Sequence, residues 1–486
     1  MDIVSQLRPF FEPKSVAVVG ANPNSGDFAF NLVEILAQRG YQGKVYPVNP
    51  NYTEILGQKC YATVKEIPDK VDLAVILTSR SIVPDIVKQC GDKGIGAAIV
   101  VGQGFAEAED EEGKRLQQKI IEVAKRSNLR ILGPNTFGSA NAYNNFITAF
   151  LKQSDMSKVP IGLISQSGLF FGTTGRLRLL GKGIDVGNAC DVDFADALEY
   201  FEQDPQVKVI VLHIEGVKDG KRFKEVAQRV ARKKPILAIK TGRNEQAARA
   251  AQSHSASLVG KDEVWDALFK QCGIIRAQNL DELGDLTKAF LYLPLMAGRK
   301  VAVVTGSGGA GIMSMDACTE YDLKIAELSP TTRCRLKAMS PSWHKVGNPL
   351  DIWPIILLSR RSFSDALKIL VAEVLKDPNV NGLLFFGGTW FERITPPLSE
   401  SLIELACSYP NKPIALCLTQ GWLTDLGAED VARKLYGTGK PVVFSNPDDA
   451  LRALARLADR YEFLNQTKPN KGRPNRSPTH FSDSGH

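Results

Sequence analysis

Ile161-Gly162-Leu163-Ile164-Ser165-Gln166-Ser167-Gly168 is an apolar run that stops at a Ser/Gly turn, and the chain repeats it as Val301-Ala302-Val303-Val304-Thr305-Gly306-Ser307-Gly308-Gly309. Each copy reads as a buried strand feeding a helix through a tight turn. Three further echoes keep the same order: Gly187-Asn188-Ala189-Cys190-Asp191 with Gly347-Asn348-Pro349-Leu350-Asp351, residues 209–216 with 383–388, and residues 235–240 with 413–418. Four matches in one order predict two flavodoxin-like α/β units, over 151–295 and 296–465. The units are not equivalent, because only the first carries Glu215 at the end of a strand and His254 in a following loop.

Ahead of the pair, strand-like runs at 16–19, 43–48, 73–77, 97–101 and 129–132 alternate with amphipathic helical stretches, which predicts a Rossmann-like parallel sheet over 1–150. The first run ends in Gly20-Ala21-Asn22-Pro23-Asn24-Ser25-Gly26, a turn that directs backbone N–H groups toward an anion. Asn22 stands where the dinucleotide fingerprint uses glycine for close pyrophosphate approach, so NAD is demoted. A nucleotide-like anion and a plain structural turn both remain open.

At 486 residues the chain is too long for one core and fits about three domains of ordinary size. The net charge of +7 lies partly in 468–476 and makes no case for nucleic acid, while anionic small molecules suit it. Residues 466–486, rich in Pro, Ser, Asn and charge, read as a disordered tail. The eight cysteines are scattered without a Cys-x-x-Cys pair or a histidine at ligand spacing, which predicts reduced thiols, no zinc and a cytoplasmic protein. No apolar stretch reaches the ~18 residues of a membrane span, and residues 1–14 lack the apolar centre of a signal peptide. No Gly-x-x-x-x-Gly-Lys-Ser/Thr loop is present either. A nucleotide and magnesium site is therefore expected on another polypeptide.

His254 sits among Ser253, Ser255, Ala256 and Ser257, where little bulk surrounds an imidazole that is largely neutral and nucleophilic at pH 7. Phosphorylation suits that setting, and so does a surface histidine in a solvated turn. Open α/β sheets bind ligands at the carboxyl ends of their strands, which places Glu215, the turn from Ser165 to Gly168 and the loop with His254 on one rim. A carboxylate at Glu215 could accept an imidazole N–H and fix the tautomer, or simply face solvent. Ser165, Gln166, Ser167 and Gly168 could present N–H donors to a phosphoryl group, or only cap a helix.

The runs Phe11-Glu12-Pro13-Lys14-Ser15-Val16-Ala17-Val18-Val19-Gly20-Ala21, Tyr46-Pro47-Val48-Asn49-Pro50, Gly133-Pro134-Asn135, Ile164-Ser165-Gln166-Ser167-Gly168, Val186-Gly187-Asn188, Ile214-Glu215-Gly216 and Ser253-His254 carry a family likeness. Together, over 10–464, they resemble the α subunit of the ADP-forming acetyl-CoA synthetases, in the NDP-forming acyl-CoA synthetase superfamily that includes succinyl-CoA synthetase. The resemblance implies a CoA-binding first unit, a second unit bearing a phosphohistidine and a third, CoA-ligase unit. It further implies reversible conversion of acyl-CoA, ADP and phosphate to acid, CoA and ATP through an acyl phosphate and a phosphohistidine.

By the same resemblance His254 is the phosphorylated residue and Glu215 its orienting carboxylate. Phosphate falls to Ser165, Gln166, Ser167 and Gly168 and, in the third unit, to Gly308 and Gly309. Coenzyme A falls to Gly20, Ala21, Asn22, Asn24, Ser25, Gly26, Asn49, Pro50, Thr78 and Ser79. ADP or ATP and Mg2+ are implied on an ATP-grasp β subunit, in a hetero-oligomer, with no metal held by this chain. Three departures stand out. Ser255-Ala256 replaces the usual Thr-Gly after the histidine, segment 179–185 is shorter than usual, and Thr78-Ser79-Arg80-Ser81 replaces an apolar, proline-bearing turn. They leave a second reading, a CoA-binding regulatory protein of the same fold that does not complete the reaction. A fused protein acetyltransferase would need more chain after Leu464.

Overall fold

The computed structural model describes the chain except residues 1, 27–30, 109, 150–155, 174–179, 245, 248–260, 360, 389–397, 420–441 and 467–486. Its strands are near-continuous apolar runs, as strands covered on both faces must be. β1 (Ser15–Val19), β2 (Lys44–Val48), the hairpin β3 (Glu54–Ile55) and β4 (Gln58–Lys59), β5 (Leu73–Ile76), β6 (Ala97–Val100) and β7 (Arg130–Leu132) make up the first unit. Its sheet runs β2-β1-β5-β6-β7, all parallel, and β1, β5 and β6 are buried along their whole length.

The second sheet contains β8 (Ser139–Asn141), β9 (Phe146–Ile147), β10 (Ile161–Ser165), β11 (Lys182–Asp185), β12 (Val209–Ile214), β13 (Ile236–Lys240) and β14 (Ile275–Ala277), in the order β14-β13-β12-β10-β11-β8-β9. Its five parallel strands follow the 2-1-3-4-5 order of flavodoxin-like sheets. The antiparallel pair β8 and β9 extends this sheet, with Gly183 opposite Ala140, although both strands precede the boundary expected near residue 150. The third sheet, with β15 (Lys300–Thr305), β16 (Lys324–Ile325), β17 (Leu350–Asp351), β18 (Gly382–Gly388), β19 (Ile414–Thr419) and β20 (Val442–Phe444), runs β16-β15-β18-β19-β20 and repeats that topology. β17 pairs with the far end of β15. The duplication read from the echoes is thus a duplication of topology.

Helices cover the sheets through single apolar stripes. The helix Gly220–Lys233 buries Phe223, Val226, Ala227, Val230 and Ala231, successive steps of three and one that keep one face inward. Asp219 caps it by accepting from the Arg222 N–H at 2.9 Å, and Arg232 and Lys233 complement the dipole at its end.

The first and second units are joined by polar as well as apolar contacts. Arg130 at the start of β7 donates to Asp191 at 2.9 Å, to Asp196 at 2.7 Å and to Gln6 at 2.6 Å. Lys182, 1% exposed, reaches Asp204 at 2.6 Å and Glu12 at 3.0 Å. Asn188 donates to Glu107 at 2.5 Å and to Gln117 at 3.1 Å, while the Glu107 carboxylate accepts from the N–H groups of Gly104 and Phe105.

Candidate active site

The carboxyl ends of β1 and β5 meet at the point where the strand order of the first sheet reverses, the position at which open α/β sheets admit ligands. Gly20 follows β1 at φ +86°, and a Cβ there would lie 2.9 Å from the Thr78 methyl carbon, so only glycine lets the two turns close together. The Thr78 hydroxyl is buried and has no hydrogen-bond partner among the described residues. Asn49 donates to the Ala21 carbonyl at 2.7 Å, and Asn22 accepts from the Asn24 N–H at 3.0 Å. Asn31 ties the turn down by donating to the carbonyls of Asn22 and Asn24, and its side-chain oxygen caps the helix Leu32–Gln38. Ser25, Gly26, Pro50 and Ser79 are exposed around this crevice. An orphaned hydroxyl beside a cradle kept open by glycine fits a polar ligand such as coenzyme A.

The second sheet has its own reversal between β10 and β12. Ser165 is fully buried; its hydroxyl donates to the Ser167 carbonyl at 2.9 Å and accepts from the Ser167 N–H at 3.1 Å, which sets the turn into the helix Gly168–Thr173. Gln166, buried, accepts at one side-chain oxygen from the backbone N–H groups of Glu215 and Gly216, at 3.0 and 3.1 Å. That clamp joins the turn after β10 to the strand end bearing Glu215, itself 7% exposed.

Two charged groups that the sequence did not single out flank Glu215. Asp185 ends β11 opposite Ser165 and accepts from the N–H groups of Phe137 at 2.8 Å and Gly187 at 3.3 Å. Burial pushes its carboxyl up to about 7, against the pull of those donors and with help from the negative charge of Glu215. Lys240 ends β13 opposite Ile214, and its ammonium lies 5.4 Å from the centroid of the Trp265 ring. Desolvation lowers it to about 8, offset by the carboxylates of Asp262 and Glu215. His213, two residues before Glu215, stacks on Phe170 at 4.4 Å and meets the Thr241 hydroxyl at 3.2 Å. The sequence signal for Asp185 and Lys240 was their place at the ends of apolar strands, where charge is not needed for the fold.

Gly187 brings the first unit to this rim. It sits at φ +52°, and a Cβ there would lie 2.4 Å from the carbonyl oxygens of Pro134 and Asn135. Asn188 and Cys190 donate to the carbonyls of Pro134 and Gly133, so two motifs some fifty residues apart in sequence form one seam.

Gly308 and Gly309 open the helix Gly308–Glu320 at the corresponding reversal of the third sheet, where Thr305 and Ser307 repeat the hydrogen bonds of Ser165 and Ser167 at 3.1 Å each. Ser307, Gly308 and Gly309 are exposed, and Ser307 makes no side-chain cap, which leaves the first N–H groups of that helix facing outward. No described hydrogen bond links them to the cluster around Glu215. His254 and the Ser255-Ala256 departure lie outside the described residues, as does Leu179 of the shortened segment. Among the described residues no group of three or more His, Cys, Asp or Glu could hold a metal ion.

Three families match in succession: a CoA binding domain over 14–142, a succinyl-CoA ligase like flavodoxin domain over 158–290 and a Ligase-CoA domain over 301–464. An acetate–CoA ligase [ADP-forming] II of Archaeoglobus fulgidus is 37% identical over 465 residues, which are 93% of this chain and 67% of that protein. The α subunit of acetate–CoA ligase [ADP-forming] I of Pyrococcus furiosus is 35% identical over 461 residues, 93% of this chain and 97% of that one. Among solved structures, the dinucleotide forming acetyl-coenzyme A synthetase 1 of Ca. Korarchaeum cryptofilum, in complex with phosphate and ADP, superposes with a TM-score of 0.82 at 28% identity, covering 96% of this chain and 99% of that one.

Proposed function

The chain belongs to the family of ADP-forming acetate–CoA ligases, and from that premise we propose that it is the α subunit of an NDP-forming acyl-CoA synthetase. The reaction runs in three balanced steps. Phosphate displaces CoA from acyl-CoA, giving an acyl phosphate and free thiol. A ring nitrogen of His254 attacks the phosphorus, releasing the carboxylic acid and leaving phosphohistidine. The phosphoryl group then passes to ADP, which regenerates the imidazole and yields ATP.

The observation that carries this reading is the clamp from Gln166 to the N–H groups of Glu215 and Gly216. It holds a buried carboxylate beside a helix-opening turn at the switch point of the second sheet. Glu215 accepts an N–H of His254, fixes its tautomer and stabilises the cation that forms with the phosphoryl adduct. The turn from Ser165 to Gly168 presents N–H donors to the phosphoryl oxygens. Gly308 and Gly309 do the same from the third unit. Coenzyme A occupies the crevice where Gly20 meets Thr78, with Ala21, Asn22, Asn24, Ser25, Gly26, Asn49, Pro50 and Ser79 around it.

ADP or ATP and Mg2+ belong on an ATP-grasp β subunit. The surface supports a protein partner: the helix Gly308–Glu320 exposes Ile312 and Met313, the nearby helix Trp353–Leu358 exposes Leu357 and Leu358, and Trp343 is 69% exposed. All eight cysteines are free thiols, which suits the cytoplasm, and no helix among the described residues is long and apolar enough to cross a membrane.

The test is turnover with acetyl-CoA, phosphate, ADP and Mg2+, with and without the ATP-grasp protein encoded nearest this gene. ATP and free CoA should form together only when both chains are present. ATP formation by this chain alone, or none by the pair across a panel of acyl-CoA thioesters, contradicts the reading.

A further inference from the structure

Arg460 lies on the final helix, Pro447–Asn465, and is 5% exposed. A buried guanidinium normally faces a carboxylate, since an unpaired charge in the interior costs several kcal/mol. Arg460 has no such partner among the described residues. Its Nη1 lacks any acceptor among the described residues, and desolvation alone lowers the group, to about 10, so it stays charged at neutral pH.

The side chain lines a cavity of about 480 Å3 between the final helix and the segment from the helix Asp262–Cys272 into β14. Phe269, Ile274 and Phe463 supply apolar wall. Apart from Lys270, whose side chain is exposed to solvent, the other charges on the wall are already matched. Arg276 holds Asp266 and Asp262 at 2.5 and 2.7 Å, and Arg456 holds Asp459 at 2.8 Å. Glu462 and Asp459 also receive Arg299, at 2.9 and 2.5 Å. The Nε atoms of Arg276 and Arg456 are nevertheless buried without acceptors among the described residues. One cavity is therefore lined by three arginines with unused N–H donors, one of which, Arg460, has no counter-charge.

We propose that this cavity is a binding site for a small monoanionic carboxylate with an apolar body, held by Arg460. A single buried uncompensated charge, Arg460, matches one carboxylate, whose two oxygens accept from a guanidinium fork, while the aromatic and aliphatic wall takes the hydrocarbon part and the exposed Lys270 stays solvated. A phosphate dianion would bring a second negative charge to carboxylates already in place. The site draws on the second unit's far edge and the final helix, and shares no residue with the cluster around Glu215.

The experiment is isothermal titration of the full chain with hexanoate, with hexanol and inorganic phosphate as controls, on wild type, Arg460→Met and Arg460→Gln. Wild type should bind hexanoate saturably at one site, neither control should compete with it, and both variants should lose at least tenfold in affinity. Thermal melting adds a second readout: without ligand Arg460→Met should melt at or above wild type, because a buried unpaired charge is gone, and hexanoate should raise the melting temperature of wild type only. No binding by wild type, binding that survives both substitutions, or phosphate binding that displaces hexanoate would overturn the proposal. Should one variant fail to fold, the other carries the comparison.

Discussion

Gln166 has one side-chain oxygen, and two backbone N–H groups from the end of β12 converge on it. That leaves Glu215 with a fixed backbone beside a carboxyl, Asp185, that burial holds near neutrality. Glu215→Gln keeps the shape and removes the charge, so phosphorylation should slow by about a hundredfold or more, the lower range for a positioned acid–base group, with folding unchanged. Rapid-quench labelling measures it, and wild-type kinetics would remove Glu215 from the chemistry. Asp185 has a stability signature. Between pH 4 and pH 7 the folded protein keeps a proton that the unfolded chain releases, so stability falls as pH rises through that window and is flat above it. The Asp185→Asn variant should lack this decline when urea midpoints are followed from pH 4 to pH 8; parallel profiles would place the proton elsewhere. Thr78→Val removes a hydroxyl with no partner among the described residues, so CoA affinity should drop by about three- to tenfold, the worth of one hydrogen bond, while thermal stability holds or rises. Unchanged CoA binding by calorimetry would move the ligand away from Thr78.

Elements matter here through their ends. Each sheet reverses direction between its first and third strand, and at each reversal a short polar turn meets the end of a neighbouring strand: Gly20 with Thr78, Gln166 with Glu215, Gly306 with Phe386. β7 contributes differently, because Arg130 leaves the first sheet to hold Asp191 and the buried Asp196 of the second unit. Arg130→Met strands a carboxylate whose side chain is only 4% exposed, although Arg222 also reaches it at 2.5 Å and softens the loss. Destabilisation of about 2 to 4 kcal/mol is expected from urea unfolding, near the range for breaking a buried pair. A change below about 0.5 kcal/mol, the size of ordinary surface substitutions, would mean that the Arg130 ion pairs add nothing measurable to the unit interface.

At the scale of the molecule, the sequence was most legible where period and order carry the information. Apolar strand runs and ordered echoes predicted a Rossmann-like sheet followed by two flavodoxin-like ones; all three are doubly wound parallel sheets, and the first shares the 2-1-3-4-5 order of the other two. The hairpin of β8 and β9 escaped because strands of three and two residues carry no period of their own, and only pairing with β11 assigns them to the second sheet. At the site, Glu215 could be picked out as an acid ending an apolar strand, and Asp185 and Lys240 share that signal. What separates the three is burial and neighbours brought from distant segments: Phe137 for Asp185, Trp265 for Lys240. Arg460 was hidden more deeply, since nothing in a helical run of Ala, Leu and Arg marks which arginine lacks a carboxylate. The whole arrangement of three units only becomes an enzyme if phosphate passes through His254. The decisive measurement is therefore to incubate the chain with acetyl-CoA and labelled phosphate, quench in base and map the label. Wild type should carry one acid-labile, base-stable phosphoryl group on His254, and His254→Ala should carry none while still binding CoA. Label on another residue, or undiminished turnover by His254→Ala in the presence of the partner, would contradict it.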